Sequence, residues 1–280
     1  MNIEKTWANH PEVRARRRRR LKLGLGIGGG IVVLLVVLAV VFWPALQARY
    51  APVAPAVTAP APAPKPKPAP EPTPEPEPEP APTYDVDSPS SITVVVNKQR
   101  PMSPIDWAPD DLVVPEGIPS VWGHPIRAEA ATALRKMYDA SVAAGVPITI
   151  TSGYRDYELQ KEIYDGLVAQ GGVEFADQDT ARPGFSEHQT GLVVDLEGDE
   201  GCALSECFRD TATGAWLREN SWQYGFILRY NEGEQPTVGY TFEPWHFRYV
   251  GVEVATAMHE QGVKNLEDFL GLPAAPTNLD

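Results

Sequence analysis

Residues 84–280 predict an α+β domain built around a small antiparallel sheet. Three observations carry this reading. The apolar runs that read as strands are short. Segments of helical period lie between them. The two kinds do not alternate in the βαβ rhythm that a parallel sheet requires.

Taken in order, Ile92 to Val96 is a β-branched run and reads as a strand. The segment VNKQRPMSPIDWAPDDLVVPEG is broken by prolines and predicts an irregular wrap over the core. Arg127 to Ala144 places Ala130, Leu134, Met137 and Tyr138 at helical spacing and stops before Gly145. Ile148 to Thr151 reads as a buried strand running into Ser152-Gly153-Tyr154-Arg155. A helix from Asp156 to Gln170 opens on an acid suited to an N-terminus and ends at Gly171-Gly172. Leu192 to Leu196 is the next strand, Thr213 to Asn220 a short helix, and Tyr224 to Tyr230 and Trp245 to Val250 two further strands. Val252 to His259 and Lys264 to Leu270 close the domain as helices.

The front of the chain has a different composition. Residues 1–22 form a basic tail with Arg14, Arg16 to Arg20 and Lys22. Residues 23–43 are uncharged and apolar, about the 20 residues that a membrane-spanning helix needs. Basic flanks stay in the cytoplasm, so a single-pass anchor would put everything after Trp43 outside the cell. The alternative is a cleaved signal peptide, but the run exceeds an ordinary h-region and no small-x-small cleavage site follows it directly. Residues 44–83 are rich in Ala and Pro, with glutamates spaced by prolines, and have no apolar face to bury. They predict an extended linker reaching on the order of 100 Å, either a stalk of required length or a disordered spacer.

Residues 84–280 contain 13 Lys+Arg against 31 Asp+Glu. That balance argues against nucleic acid as a partner, because phosphate contacts need basic surface. The cysteines are Cys202 and Cys207. In an oxidising compartment such neighbours most simply form a local disulfide; a structural zinc would need two further ligands beside them.

The chemistry converges on ARPGFSEHQTGLVVDL, Ala181 to Leu196, and FEPWHFRYVG, Phe242 to Gly251. His188 and Asp195 are seven residues apart, which on one straight strand would put them on opposite faces. To meet, the chain must turn, and Gly191 is where a turn costs least. Asp195 lies in an apolar run, where an ionised carboxylate is costly unless it binds a metal or a cation. Glu243 and His246 flank Pro244, which disfavours an uninterrupted central strand there. Two histidines and a carboxylate form a ligand set for a catalytic zinc with a fourth position open, and Glu243 is the spare carboxylate that such a site uses as a base. Taken singly, these residues have plainer readings: a loop histidine, an ion-paired aspartate, and an aromatic core strand containing a hydrogen-bonded histidine. Arg155, at a strand end, offers a donor fork for a carboxylate or oxyanion, or else a surface ion pair.

Four stretches together are more specific. SGYRDYELQ (Ser152 to Gln160), PGFSEHQTGLVVDL (Pro183 to Leu196), YGFILRY (Tyr224 to Tyr230) and EPWHFRYVG (Glu243 to Gly251) closely resemble the VanY-type D-alanyl-D-alanine carboxypeptidases, in the same order. The resemblance runs from about Val96 to Val263. It implies the Hedgehog/DD-peptidase-like zinc peptidase fold and removal of the terminal D-alanine from peptidoglycan stem peptides. It implies zinc ligands at His188, Asp195 and His246, the catalytic acid/base at Glu243, and an arginine serving the substrate at Arg155. Gln160 and Ser186 match motif positions near the substrate. Val193 stands where the family pattern has alanine, and NEGEQPTVGY after Tyr230 departs from it, which touches a rim loop and so substrate preference. Two alternatives stay open: L,D-carboxypeptidase trimming of tetrapeptide stems, and a non-catalytic cell-wall-binding module on the same fold. Retention of Glu243 separates the latter from an enzyme.

Overall fold

The computed structural model describes residues 83–279. The tail at 1–22, the apolar span at 23–43 and nearly all of the linker at 44–83 lie outside the described residues. Among the described residues, no helix is long and apolar enough to cross a membrane.

The chain forms β1 (Leu112–Val113), β2 (Ile126–Arg127), α1 (Ala128–Ala143), β3 (Thr149–Ser152), α2 (Tyr157–Gly171) and α3 (Val173–Asp179). It continues through a 3-10 turn (Glu187–Thr190) to β4 (Val193–Glu197), α4 (Ala212–Asn220), β5 (Phe226–Leu228), α5 (Gln235–Val238), β6 (His246–Tyr249), α6 (Val252–Gln261) and α7 (Leu266–Phe269). β1 and β2 pair as a two-stranded sheet, and a four-stranded antiparallel sheet has the order β3-β4-β6-β5. This is the expected α+β class with a small antiparallel sheet.

The pleat separates core from chemistry. Val194 and Leu196 of β4, Phe247 and Tyr249 of β6, and Phe226 of β5 join Leu134 and Met137 of α1 in the main core. At a period of two, Asp195, His246 and Arg248 fall on the opposite face. That face is also closed over: all five residues from Val193 to Glu197 are buried or half-buried, and His246 to Tyr249 are all buried.

Local signals hold where they have a local cause. Asp156 caps α2, its carboxylate accepting from the Leu159 N–H at 2.8 Å. Gly191 ends the 3-10 turn at φ 67°, and a Cβ there would lie 2.9 Å from Cγ of Arg127. Both the turn and the close approach therefore require glycine.

Ile92 to Val96 is a correction: it is buried from Thr93 to Val96, with Ile92 half-buried, but forms no strand. Its backbone groups are satisfied elsewhere. The Ile92 and Val94 carbonyls accept from Nη2 of Arg248, the Val95 carbonyl accepts from Nε of Arg100, and the Val95 N–H donates to Val86 O. Side chains have taken the place of a ladder partner. The proline-broken wrap does contain β1, and α3 and α5 were not expected. These three elements are too short for a period to show in sequence.

Candidate metal centre

The 3-10 turn and β4 are joined through Gly191, and this bend brings His188 back over Asp195. Nε2 of His188 lies 3.4 Å from Oδ2 of Asp195. The other ring nitrogen, Nδ1, is 2.7 Å from the Gly153 carbonyl. On its other side Gly153 packs against the segment leading into β2, where a Cβ would sit 2.8 Å from Pro125 O.

His246 arrives from β6. It is the direct cross-strand partner of Asp195, and its Nδ1 lies 3.4 Å from Asp195 Oδ1. Glu243 reaches the same atom by a local route. The His246 N–H donates to the Glu243 carbonyl at 3.1 Å, closing a four-residue turn with Pro244 in the second position, where proline is favoured. Glu243 Oε2 is then 3.4 Å from Nδ1 of His246.

His188, Asp195 and His246 each offer one ligand atom, all within 4.8 Å of one another. Tetrahedral zinc with ligands near 2.0–2.1 Å separates its ligand atoms by about 3.3–3.4 Å; each histidine nitrogen lies 3.4 Å from one oxygen of the Asp195 carboxylate, His188 from Oδ2 and His246 from Oδ1. The donor set fits zinc, and it lies in a buried position where Oδ1 of Asp195 has no hydrogen-bond partner among the described residues.

The surroundings polarise these groups. Burial pushes His188 down to about 3, with Asp195 opposing and Arg155 assisting. Burial also disfavours the His246 cation, but Asp195 and Glu187 outweigh it and push that ring up to about 9. Asp195 is held below the usual carboxylate range although burial alone would raise it; His188, His246 and Arg155 prevail.

Arg155 follows β3, and its N–H donates to the His188 carbonyl at 3.2 Å. Burial lowers its guanidinium from the usual value, while the charges of Asp195 and Glu243 oppose that shift. Its Nε has no hydrogen-bond partner among the described residues. Ser186 accepts from the His188 N–H at 3.3 Å and caps the 3-10 turn. Gln160 is fully buried and donates its amide to Ala181 O at 2.6 Å and to Thr180 Oγ1 at 3.1 Å. Ser186 therefore holds the turn that carries His188, and Gln160 holds the chain at Thr180 and Ala181 further upstream. Cys202 and Cys207 are joined in a disulfide.

Sequence reasoning missed a charged cluster behind His246. Glu187, Arg229, Arg248 and Glu267 have side chains with no exposure at all. Arg229 binds Glu267 through two hydrogen bonds, of 2.9 and 2.7 Å, and Glu187 Oε1 through Nε at 2.9 Å. Arg248 Nη1 reaches the same Oε1 at 3.1 Å. Burial would raise the Glu187 carboxyl, yet Arg229 and Arg248 hold it well below the usual range. Tyr230 and Tyr240 are also unforeseen: the Tyr230 ring lies 4.6 Å from that of His246 and 4.8 Å from that of Tyr240. The available signal was an arginine inside each of two apolar strand runs, FILRY and HFRYV, since a buried charge requires a partner.

Comparison with known proteins agrees with this geometry. The VanY D-alanyl-D-alanine carboxypeptidase family model matches residues 123–252, a range that contains all of the residues placed at the centre. The putative carboxypeptidase YodJ of Bacillus subtilis is 39% identical over 189 residues, covering 66% of this chain and 68% of that protein. The D-alanyl-D-alanine carboxypeptidase of Enterococcus faecalis is 39% identical over 158 residues, covering 53% of this chain and 56% of that protein. Among solved structures, the LdcB LD-carboxypeptidase matches with TM-score 0.62 and 38% identity, over 65% of this chain and 87% of that chain. A glutamate-to-alanine mutant of the vancomycin-resistance D,D-pentapeptidase VanY, in complex with Zn(II), matches with TM-score 0.53 and 34% identity, over 63% of this chain and 97% of that chain. With motif order, fold and homology in agreement, the chain belongs to the VanY family of D-alanyl-D-alanine carboxypeptidases.

Proposed function

We propose that this carboxypeptidase is zinc-dependent and membrane-anchored, and that it removes the terminal D-alanine from peptidoglycan stem peptides. One observation carries the proposal: Nε2 of His188, Nδ1 of His246 and the Asp195 carboxylate converge, with Glu243 3.4 Å from Nδ1 of His246 and outside the triad. A zinc ion held by those three residues would supply a Lewis acid and a water acidic enough to react near neutral pH. Glu243 takes the proton of the attacking water and passes it to the departing amine of D-alanine. Arg155 binds the substrate's terminal carboxylate through its planar fork. Tyr230 and Tyr240 wall the site against bulk water. The basic tail and the apolar run at 23–43 support an anchor that places residues 84–280 beside the wall.

The match to LdcB supports a second reading, in which the preferred stem is a tetrapeptide and the bond cleaved is L,D. One assay addresses both. The full chain in detergent is incubated with a pentapeptide ending in D-Ala-D-Ala and with a tetrapeptide, and released D-alanine is measured. Release from the pentapeptide, lost with chelator and restored by zinc, is the expected result. Release from the tetrapeptide alone selects the second reading, and full activity in chelator sinks the zinc mechanism. In whole cells the activity should sediment with membranes and be lost when protease is added outside; protection from that protease would reverse the orientation.

Arg155→Lys retains the charge but loses the bidentate geometry. The expected loss in kcat/KM is about 1.5–3 kcal/mol, the worth of one charged hydrogen bond. Unchanged steady-state kinetics would remove Arg155 from the substrate site.

A further inference from the structure

We infer that Glu187 is a positioning residue for His246: it accepts the Nε2–H of that ring and so commits Nδ1 to the metal. This rests on the proposed role of His246 as a ligand.

The ring has two ends, and they face different groups. Nδ1 lies 3.4 Å from both Asp195 Oδ1 and Glu243 Oε2, in the metal site. Nε2 points away from it, 3.5 Å from Oε2 of Glu187. That separation is longer than a formed hydrogen bond. Yet both atoms are buried, and neither has another hydrogen-bond partner among the described residues. A neutral imidazole bound through Nδ1 carries its proton on Nε2, and a buried N–H needs an acceptor. Glu187 stands where that acceptor must be.

The carboxylate divides its two oxygens accordingly. Oε1 takes both Arg229 Nε, at 2.9 Å, and Arg248 Nη1, at 3.1 Å. Oε2 is left for His246. A residue serving only as a counter-ion would use both oxygens against one guanidinium, as Glu267 does with Arg229. The pattern at Glu187 is instead that of a carboxylate with two clients: one oxygen meets the arginines and the other faces the histidine. The two ligating rings are thus fixed by different means and through opposite nitrogens. His188 turns Nε2 to the site and is held at Nδ1 by the Gly153 carbonyl, 2.7 Å away. Glu187 and His188 are neighbours in one 3-10 turn, so a single turn supplies one ligand and orients the other.

The test uses the full chain in detergent and reads zinc affinity by competition with a chromophoric chelator. Glu187→Gln should weaken zinc by about 10–100-fold, the usual effect of losing a partner behind a metal ligand. Glu267→Gln disturbs the same buried cluster without touching His246; it should lower the melting temperature and leave zinc affinity unchanged. Equal affinity in Glu187→Gln and wild type would overturn the inference, and so would equal weakening in both variants. Wild type that takes up no zinc would overturn the metal site together with this role, which separates the two failures. If Glu187→Gln does not fold, ring 15N spectra of the zinc-loaded wild type decide. The inference requires His246 to be protonated at Nε2 and His188 at Nδ1, and the opposite tautomer at His246 would overturn it.

Discussion

Glu243→Gln should retain its zinc and lose roughly 10²–10⁴ of its turnover, the usual contribution of a positioned general base. The substitution keeps the size and polarity of the side chain but removes the basic oxygen. The metal should stay because the proposed ligand set, His188, Asp195 and His246, is complete without Glu243. A fourth protein ligand would close the coordination shell and leave no position for water. Substrate should still bind, because Arg155, the proposed carboxylate binder, is untouched. Metal content by elemental analysis and kcat on a stem pentapeptide are the two readouts. Loss of zinc would make Glu243 a ligand and leave Asp195 needing another role. Near-normal kcat would end the assignment of Glu243 as the base.

Arg229→Met should be among the most destabilising single changes in the domain. Arg229 is wholly buried between Glu187 and Glu267, and its removal strands two carboxylates that have no access to water. Breaking a buried pair by deleting one partner costs about 3–5 kcal/mol. Here Asn97 still donates to Glu267 at 2.9 Å and Arg248 still reaches Glu187, so the site is not left entirely without donors. An exposed pair supplies the contrast. Arg135 and Asp139 lie one helical turn apart on α1, both substantially exposed, and Arg135→Ala should cost about 1 kcal/mol or less. Urea denaturation of both variants checks this. A loss below about 1 kcal/mol for Arg229→Met would mean that the cluster's charges are compensated by something other than one another.

The parts of the site that were legible in sequence have short-range causes. Glu243 and His246 meet because a proline-containing turn joins them, and three residues of spacing suffice to read it. Gly191 could be named as the bend because its αL conformation is a property of glycine itself. Asp156 could be named as a cap for the same kind of reason. What was not legible depends on residues far apart in the chain. Arg229 meets Glu187 across 42 positions and Glu267 across 38, and no local period encodes such a pairing. The run from Ile92 to Val96 misled for a related reason. Its β-branched residues signal burial on a pleated surface, but whether its carbonyls meet a strand or a guanidinium is decided by Arg248, more than 150 residues later.

The direct pairing of Asp195 with His246 across β4 and β6 ties the chemistry to strand register. A slip by one residue would turn every side chain of one strand to the other face. The carboxylate would then point among Phe247, Tyr249 and Leu134, and Val194 or Leu196 would take its place beside the histidine. Along the regular β4–β6 pairing the offset is zero or a whole residue. Competence at this site is therefore discrete. A metal held by this triad would act as a proofreader of β-pairing, since only the correctly registered chain presents both halves of the ligand set, and its binding energy would add to the gap between that register and its neighbours. Loops around the rim can vary in length and composition without passing through this constraint, which leaves substrate preference free to change while the reaction stays the same.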